Sequence, residues 1–181
     1  TGTSVGGGGC EDVVRAGVGS GASLRTRGWA DVSSGGVASG TTASSGGAQY
    51  VWSGGLASGT TVSSGGTEYL FSGGTSLNTT VLNGGLEFVW DAGLASGSTV
   101  VSSGGVISAQ TAGAGIQSVT VSSGGRAIAL GVSSGTTLDV KAGGIAQSLY
   151  VYNGGLLTVS SGSVATGTTI SSGGHESIAA G

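Results

Sequence analysis

The chain has 181 residues, of which 42 are Gly, none is Pro and only 7% are charged, against roughly 25% in an ordinary globular domain. Recurrent Val, Leu, Ile and Ala and a mean hydropathy of +0.32 argue against disorder, and the lack of Pro and of a G-X-Y triplet excludes collagen. The net charge of −3 comes from 8 acids and 5 bases spread thinly, leaving no basic patch to hold a phosphate backbone, so nucleic acid is not an expected partner.

Read in chain order, the sequence alternates two half-units, each closed by glycine. Residues 1–28 form divergent N-terminal coils, with a short half at 10–17 (CEDVVRAG) and a long one at 18–28 (VGSGASLRTRG). Cys10 is the only cysteine, so no intrachain disulfide can form, and it is read as a tolerated thiol. Residues 29–125 carry the regular repeat. Short halves of eight residues lie at 29–36 (WADVSSGG), 48–55 (AQYVWSGG), 67–74 (TEYLFSGG) and 86–93 (LEFVWDAG). Long halves of eleven lie at 37–47 (VASGTTASSGG), 56–66 (LASGTTVSSGG) and 75–85 (TSLNTTVLNGG), which makes the period 19. The long halves at 94–105 and 114–125 each carry one extra residue.

Residues 126–144 (RAIALGVSSGTTLDVKAGG) are an irregular coil whose internal glycine spacing is shifted. A phase slip or half-unit deletion is inferred around 127–139, as either a bend or a worn repeat, with a long half at 145–155 read as directly following another. Residues 145–181 then return to repeat coils, and the whole chain reads as one continuous solenoid. It starts and stops within repetitive sequence, so export and anchoring segments are expected to lie outside it.

Three apolar columns recur at this period. One runs Leu24, Ala43, Val62, Val81, Val101, Val121, Val140, Val151 and Ile170; a second runs Val13, Val32, Val51, Leu70, Val89 and Ala109. The third takes the first position of the long half: Val18, Val37, Leu56, Thr75, Leu94, Ile145 and Val164. Short β-branched runs bounded by Gly, Ser and Asn read as strands and turns, and helices would not tolerate paired glycines so often. One coil cannot bury its own apolar edge, whereas coils stacked at about 4.8 Å close a narrow core. The expected fold is therefore all-β: a right-handed parallel β-helix of about nine coils with three short strands per coil. The paired glycines are expected at corners that need positive φ. Thr42, Thr61 and Thr80 should form outward hydroxyl ladders.

The phrases at 55–66 (GLASGTTVSSGG) and 67–74 (TEYLFSGG) resemble the 19-residue repeats of AIDA-type and antigen-43-type autotransporter adhesins. The resemblance spans essentially the whole chain, most strongly residues 32–105 and 164–174. It implies a secreted passenger segment displayed on a Gram-negative outer surface by a separate C-terminal β-barrel. It also implies roles in cell adhesion, self-aggregation or biofilm formation, and O-linked heptose on repeat serines added by a heptosyltransferase. Partners would be the same protein on neighbouring cells, or host-surface glycans and proteins, with no membrane insertion by this segment.

Ser34, Ser45, Ser53, Ser64, Ser72, Ser103, Ser123 and Ser172 each precede Gly-Gly and are the candidate O-glycosylation sites; serines favour turns in any case. Tyr50, Tyr69 and Phe88 share one short-half column, and Trp52, Phe71 and Trp90 share the column two residues on. Alternation sets them opposite Val51, Leu70 and Val89, so they are expected outside as aromatic ladders, either sticky or simply stabilising the stack. Glu68 and Glu87 stack as like charges, with Gln49 one coil earlier, which costs stability unless they sit at a solvated edge.

No catalytic, metal-binding or cofactor-binding constellation is expected. The only His is His175, next to Glu176, and is read as solvated. One His and one Cys far apart make no zinc site, and the aspartates of a calcium-binding nonapeptide are missing. A β-helix scaffold of a secreted glycan-acting enzyme is the alternative, but Asp12, Asp31, Asp91 and Asp139 are scattered. Asn78-Thr79-Thr80 matches an N-glycosylation sequon, a weak signal here.

Overall fold

The computed structural model describes residues 2–13, 17–90, 92–110 and 115–179. Among these it is all-β, a parallel β-solenoid of about nine turns. A typical coil has strands Val37–Ser39, Thr42–Ala43 and Ala48–Val51, and the next repeats them as Leu56–Ser58, Thr61–Val62 and Thr67–Leu70. Pairing is in register nineteen residues on: Thr61 meets Thr42 and Thr80, and Tyr69 meets Tyr50 and Phe88. Each strand within the stack therefore exchanges backbone hydrogen bonds with the coils on both sides, which is why a Pro-free sequence suits it.

The paired glycines divide two jobs. Gly54 takes φ +75°, the left-handed conformation that turns the corner. Gly55 instead needs to lack a side chain, because a Cβ there would lie 2.2 Å from the carbonyl oxygen of Val32 in the coil beneath. Sequence reasoning assigned both glycines to φ; close backbone approach explains the second.

Two of the expected core columns are inside. Val32, Val51, Leu70 and Val89 are fully buried, as are Leu24, Ala43, Val62, Val81, Val101, Val121, Val140 and Val151. Ile170, which continues the latter column, is exposed in the last described coil, where no described strand stacks above it. The third column is corrected. Val18 and Val164 are exposed, and Val37, Leu56, Thr75, Leu94 and Ile145 are half-buried on the outer face. The inward residue is the next one, Ala38, Ala57, Ser76, Ala95 or Ala146. In a three-residue strand only the middle side chain points in, and it must be small because a long one reaches it from across the coil. At Gly19 a Cβ would fall 2.9 Å from Glu11 Oε1.

That opposing column carries the second correction. Glu68 and Glu87 are not at a solvated edge: with Gln49 they are 0% exposed inside the solenoid. Thr60 donates to Gln49 Oε1 at 3.2 Å, Thr79 to Glu68 Oε2 at 2.9 Å, and Ser76 to Glu87 Oε1 at 2.9 Å. Burial pushes the Glu68 carboxyl up to about 7, opposed in part by the Thr79 and Thr60 hydroxyls. Burial and the neighbouring Glu68 push Glu87 up to about 8 against the Ser76 hydrogen bond. At mildly acidic pH the pair is therefore protonated, which removes the like-charge conflict there. Thr42, Thr61 and Thr80 do face outward, half-buried, while Thr41, Thr60, Thr79 and Thr99 form an unforeseen inner ladder.

Two irregularities have clear geometry. The extra residue of the half at 94–105 is absorbed inside strand Leu94–Val101: Leu77 pairs with Ser96 but Thr80 pairs with Val100. Beyond Gly125 the halves exchange places around the axis. The strand Arg126–Ile128 opens a long half yet stacks on Val106–Ala109 of a short half. Thr137–Val140, of a short half, stacks on Ser118–Val121 of a long one. Gly131–Val132 opens a third sheet, continued by Tyr150–Val151 and Thr169–Ile170. Two long halves therefore meet at Gly125 and Arg126, and the second ends in Thr136 where other long halves end in glycine.

Candidate functional site: serine corners and an aromatic groove

All eight candidate serines stand exposed in the turns between strands. Ser34, Ser45 and Ser64 occupy the left-handed region at φ 52°, 52° and 49°, which points to tight corners in which two successive residues take positive φ. Corners stack like strands: the Ser34 N–H donates to the Ser53 carbonyl, Ser45 to Ser64, and Ser103 to Ser123. The result is serine columns spaced at about the coil repeat. Ser134 and Ser161 occupy equivalent exposed corners. Sequence reasoning missed both because Thr136 and Ser163 stand where the second glycine is expected. The N–H of each donates to the carbonyl of Ser133 or Ser160, as the glycines' do, and their hydroxyls donate to the same oxygens at 2.6 Å.

The six aromatic residues face outward, as alternation requires. Tyr50 and Tyr69 stack with centroids 5.1 Å apart and planes 6° apart; Phe88 lies 6.4 Å further on, tilted by 54°. In the neighbouring column Trp52 and Phe71 stack at 4.0 Å and 7°, and Phe71 and Trp90 at 5.8 Å and 15°. Asp31 anchors the lower end by accepting the Trp52 Nε1 proton at 2.8 Å. Burial raises the pKa of the Tyr50 phenol, with Tyr69 and Asp31 adding to the effect. Because the rings lie face to face along the axis, the stack presents mainly ring edges to its surroundings.

Beside Trp52, Phe71 and Trp90 runs an open groove of about 680 Å³. It is lined as well by the adjoining corner serines Ser34, Ser53 and Ser72, and by Ser33 and Gln110. Trp90 Nε1 is buried without a hydrogen-bond partner among the described residues. The arrangement brings six of the fourteen sequence-predicted side chains together: three candidate serines share one groove with one of the two aromatic columns. Ser45, Ser64, Ser103, Ser123 and Ser172 lie elsewhere.

A solved structure settles the family. The crystal structure of a TibC-catalysed, hyper-glycosylated TibA fragment spanning residues 55–350 matches 99% of this chain and 68% of its own, at 31% identity and a TM-score of 0.58. The chain belongs to the same family of β-helices as TibA. No family model matches the sequence, and no curated protein does.

Against the TibA likeness, the remaining reactive side chains stay scattered. His175 is exposed, and Cys10 Sγ lies 3.8 Å from Asp31 Oδ2. Among the described residues no three His, Cys, Asp or Glu side chains gather to hold a metal ion. In the sequon, Asn78 is exposed, with its side-chain oxygen accepting from the Ser98 N–H, while Thr79 is buried against Glu68.

Proposed function

We propose that the chain is a passenger segment of a bacterial surface autotransporter adhesin, a non-enzymatic stalk whose corner serines accept heptose. It acts at the cell surface in adhesion, self-aggregation or biofilm formation, through other copies of itself or host glycans and proteins. The observation that carries this reading is the set of exposed serine columns on a β-helix of the TibA family, in which the solved TibA fragment is hyper-glycosylated. A transferase needs an accessible hydroxyl on a rigid backbone, and each corner presents one flanked by glycine. In the transfer, the serine oxygen bonds to the anomeric carbon as the bond from that carbon to the nucleotide carrier breaks. The hydroxyl proton passes to a base of the transferase.

Intact-mass measurement of the chain from hosts with and without a heptosyltransferase tests the acceptor role. A ladder of masses separated by one heptose is expected only with the enzyme; a single unmodified mass in both hosts would reject it. Sedimentation over a range of concentrations tests self-association, for which growth of larger species is expected.

A further inference from the structure

We infer that the groove between the aromatic column and its serine corner is a carbohydrate seat, filled by the sugars attached to Ser34, Ser53 and Ser72 of the same chain. This rests on the acceptor role proposed above and adds to it a fate for one set of sugars. Among the eight serines singled out from sequence, only these three line the groove, directly beside Trp52, Phe71 and Trp90. A pyranose on such an oxygen begins its path already inside the groove. Its tether gives it an effective concentration on the order of millimolar or more, which a free glycan rarely matches.

The chemistry of the walls suits a sugar better than a flat apolar partner. The ring faces are spent on each other at 4.0 and 5.8 Å, so an incoming aromatic side chain finds mainly edges there. A sugar offers C–H groups to pack against those edges and hydroxyl oxygens to accept hydrogen bonds. Trp52 has already given its N–H to Asp31, whereas Trp90 Nε1–H is buried with no partner among the described residues; Ser33 and Gln110 on the groove wall can bond the sugar's hydroxyls. Room at the attachment point is provided by glycine: a Cβ at Gly73 would lie 2.8 Å from Ser53 Oγ. A sugar seated there would also cover Trp52, which is 41% exposed.

The test uses tryptophan fluorescence in a Trp29→Phe background, so that emission reports Trp52 and Trp90. The chain is purified with and without heptosyltransferase co-expression, sites are mapped by mass, and quenching by acrylamide is measured. Heptosylated chain should be quenched less than bare chain. In Ser34→Gly/Ser53→Ala/Ser72→Ala that protection should vanish, although sugars persist at Ser45, Ser64, Ser103 and Ser123. Glycine is chosen at Ser34 because φ is +52° there, and an unchanged β-type circular dichroism spectrum confirms the fold. Equal quenching despite sugar on Ser53 and Ser72, or protection that survives the triple change, overturns the inference. Sugar on the other serines but on none of these three also overturns it and leaves the acceptor role standing, whereas no sugar anywhere removes both.

Discussion

The coils between residues 48 and 89 and those between 107 and 159 share a backbone plan but differ in what fills them. The first group encloses Gln49, Glu68 and Glu87 with Thr60, Thr79 and Ser76, and wears its aromatics outside. The second encloses Ile107, Ile116, Val119, Leu130, Leu138, Leu149 and Leu157, and its outer face carries the Asp139–Lys141 ion pair and an Arg126–Gln147 hydrogen bond. Both stack their strands in parallel and turn mostly at glycine corners, although the second group exchanges its halves beyond Gly125 and carries Thr136 in place of one corner glycine. The coil therefore specifies a shape and a volume, and tolerates a polar filling in which hydroxyls bond one oxygen of each group while Gln49 Nε2, Glu68 Oε1 and Glu87 Oε2 keep no partner among the described residues. The two fillings should respond very differently to pH and to truncation.

The largest contrast is with pH. An acid held protonated in the fold but ionised in the unfolded chain contributes stability that is intact below about 4.5 and lost as pH rises through the folded value. With Glu68 at about 7 and Glu87 at about 8, the loss should run from about pH 5 to above 8. Since each pH unit of displacement corresponds to about 1.4 kcal/mol, ionising both carboxyls costs several kcal/mol. Denaturation midpoints measured at pH 5 and pH 9 should fall steeply for the native chain. In Glu68→Gln/Glu87→Gln they should be nearly level and higher at pH 9. Equal slopes for the two proteins would mean that the carboxyls are not buried as described.

The aliphatic coils supply the control. Leu138 is fully buried, and Leu138→Ala should cost about 2–5 kcal/mol through lost transfer energy and a cavity. That cost should be the same at pH 5 and pH 9, since the residues stacked on Leu138 in the adjoining coils are Val119 and Leu157. A cost that grows at high pH would tie the two regions into one electrostatic unit and dissolve the contrast.

Much of this was legible in the sequence, because a period of 19 with β-branched columns admits few folds. The serine corners and the outward aromatics followed from the same alternation. Where the reading failed, a residue's character was weighed above its parity. The alternation that sets Tyr50 outside Val51 also sets Gln49, Glu68 and Glu87 inside, yet a carboxylate in a dry core seemed too costly; the hydroxyls of Thr79 and Ser76 and a raised pKa lower that cost. Val37 and Leu56 were placed inside for their hydrophobicity, when a three-residue strand buries only Ala38 or Ala57. Ser134 and Ser161 were passed over because the second glycine was taken as obligatory. The exchange of halves at Gly125 was hidden for a related reason: Thr136 masks the end of a long half, and only pairing shows which column each strand joins.

The smallest expected effect lies on the outer face. Phe71 stacks on Trp52 at 4.0 Å and on Trp90 at 5.8 Å, whereas Tyr152 meets only Tyr150, at 6.4 Å, among the described aromatics. Aromatic pairs contribute about 0.5–1.5 kcal/mol each beyond their area, so Phe71→Ala should cost roughly 1–3 kcal/mol and Tyr152→Ala less than about 1. Phe71→Leu separates the two sources of that cost: it keeps most of the apolar contact while losing the ring. If Phe71→Leu is as stable as the native chain, the column holds together by area alone. If it falls most of the way to Phe71→Ala, ring stacking is what ties these coils to one another, and the aromatic face strengthens the same coils whose interior is polar.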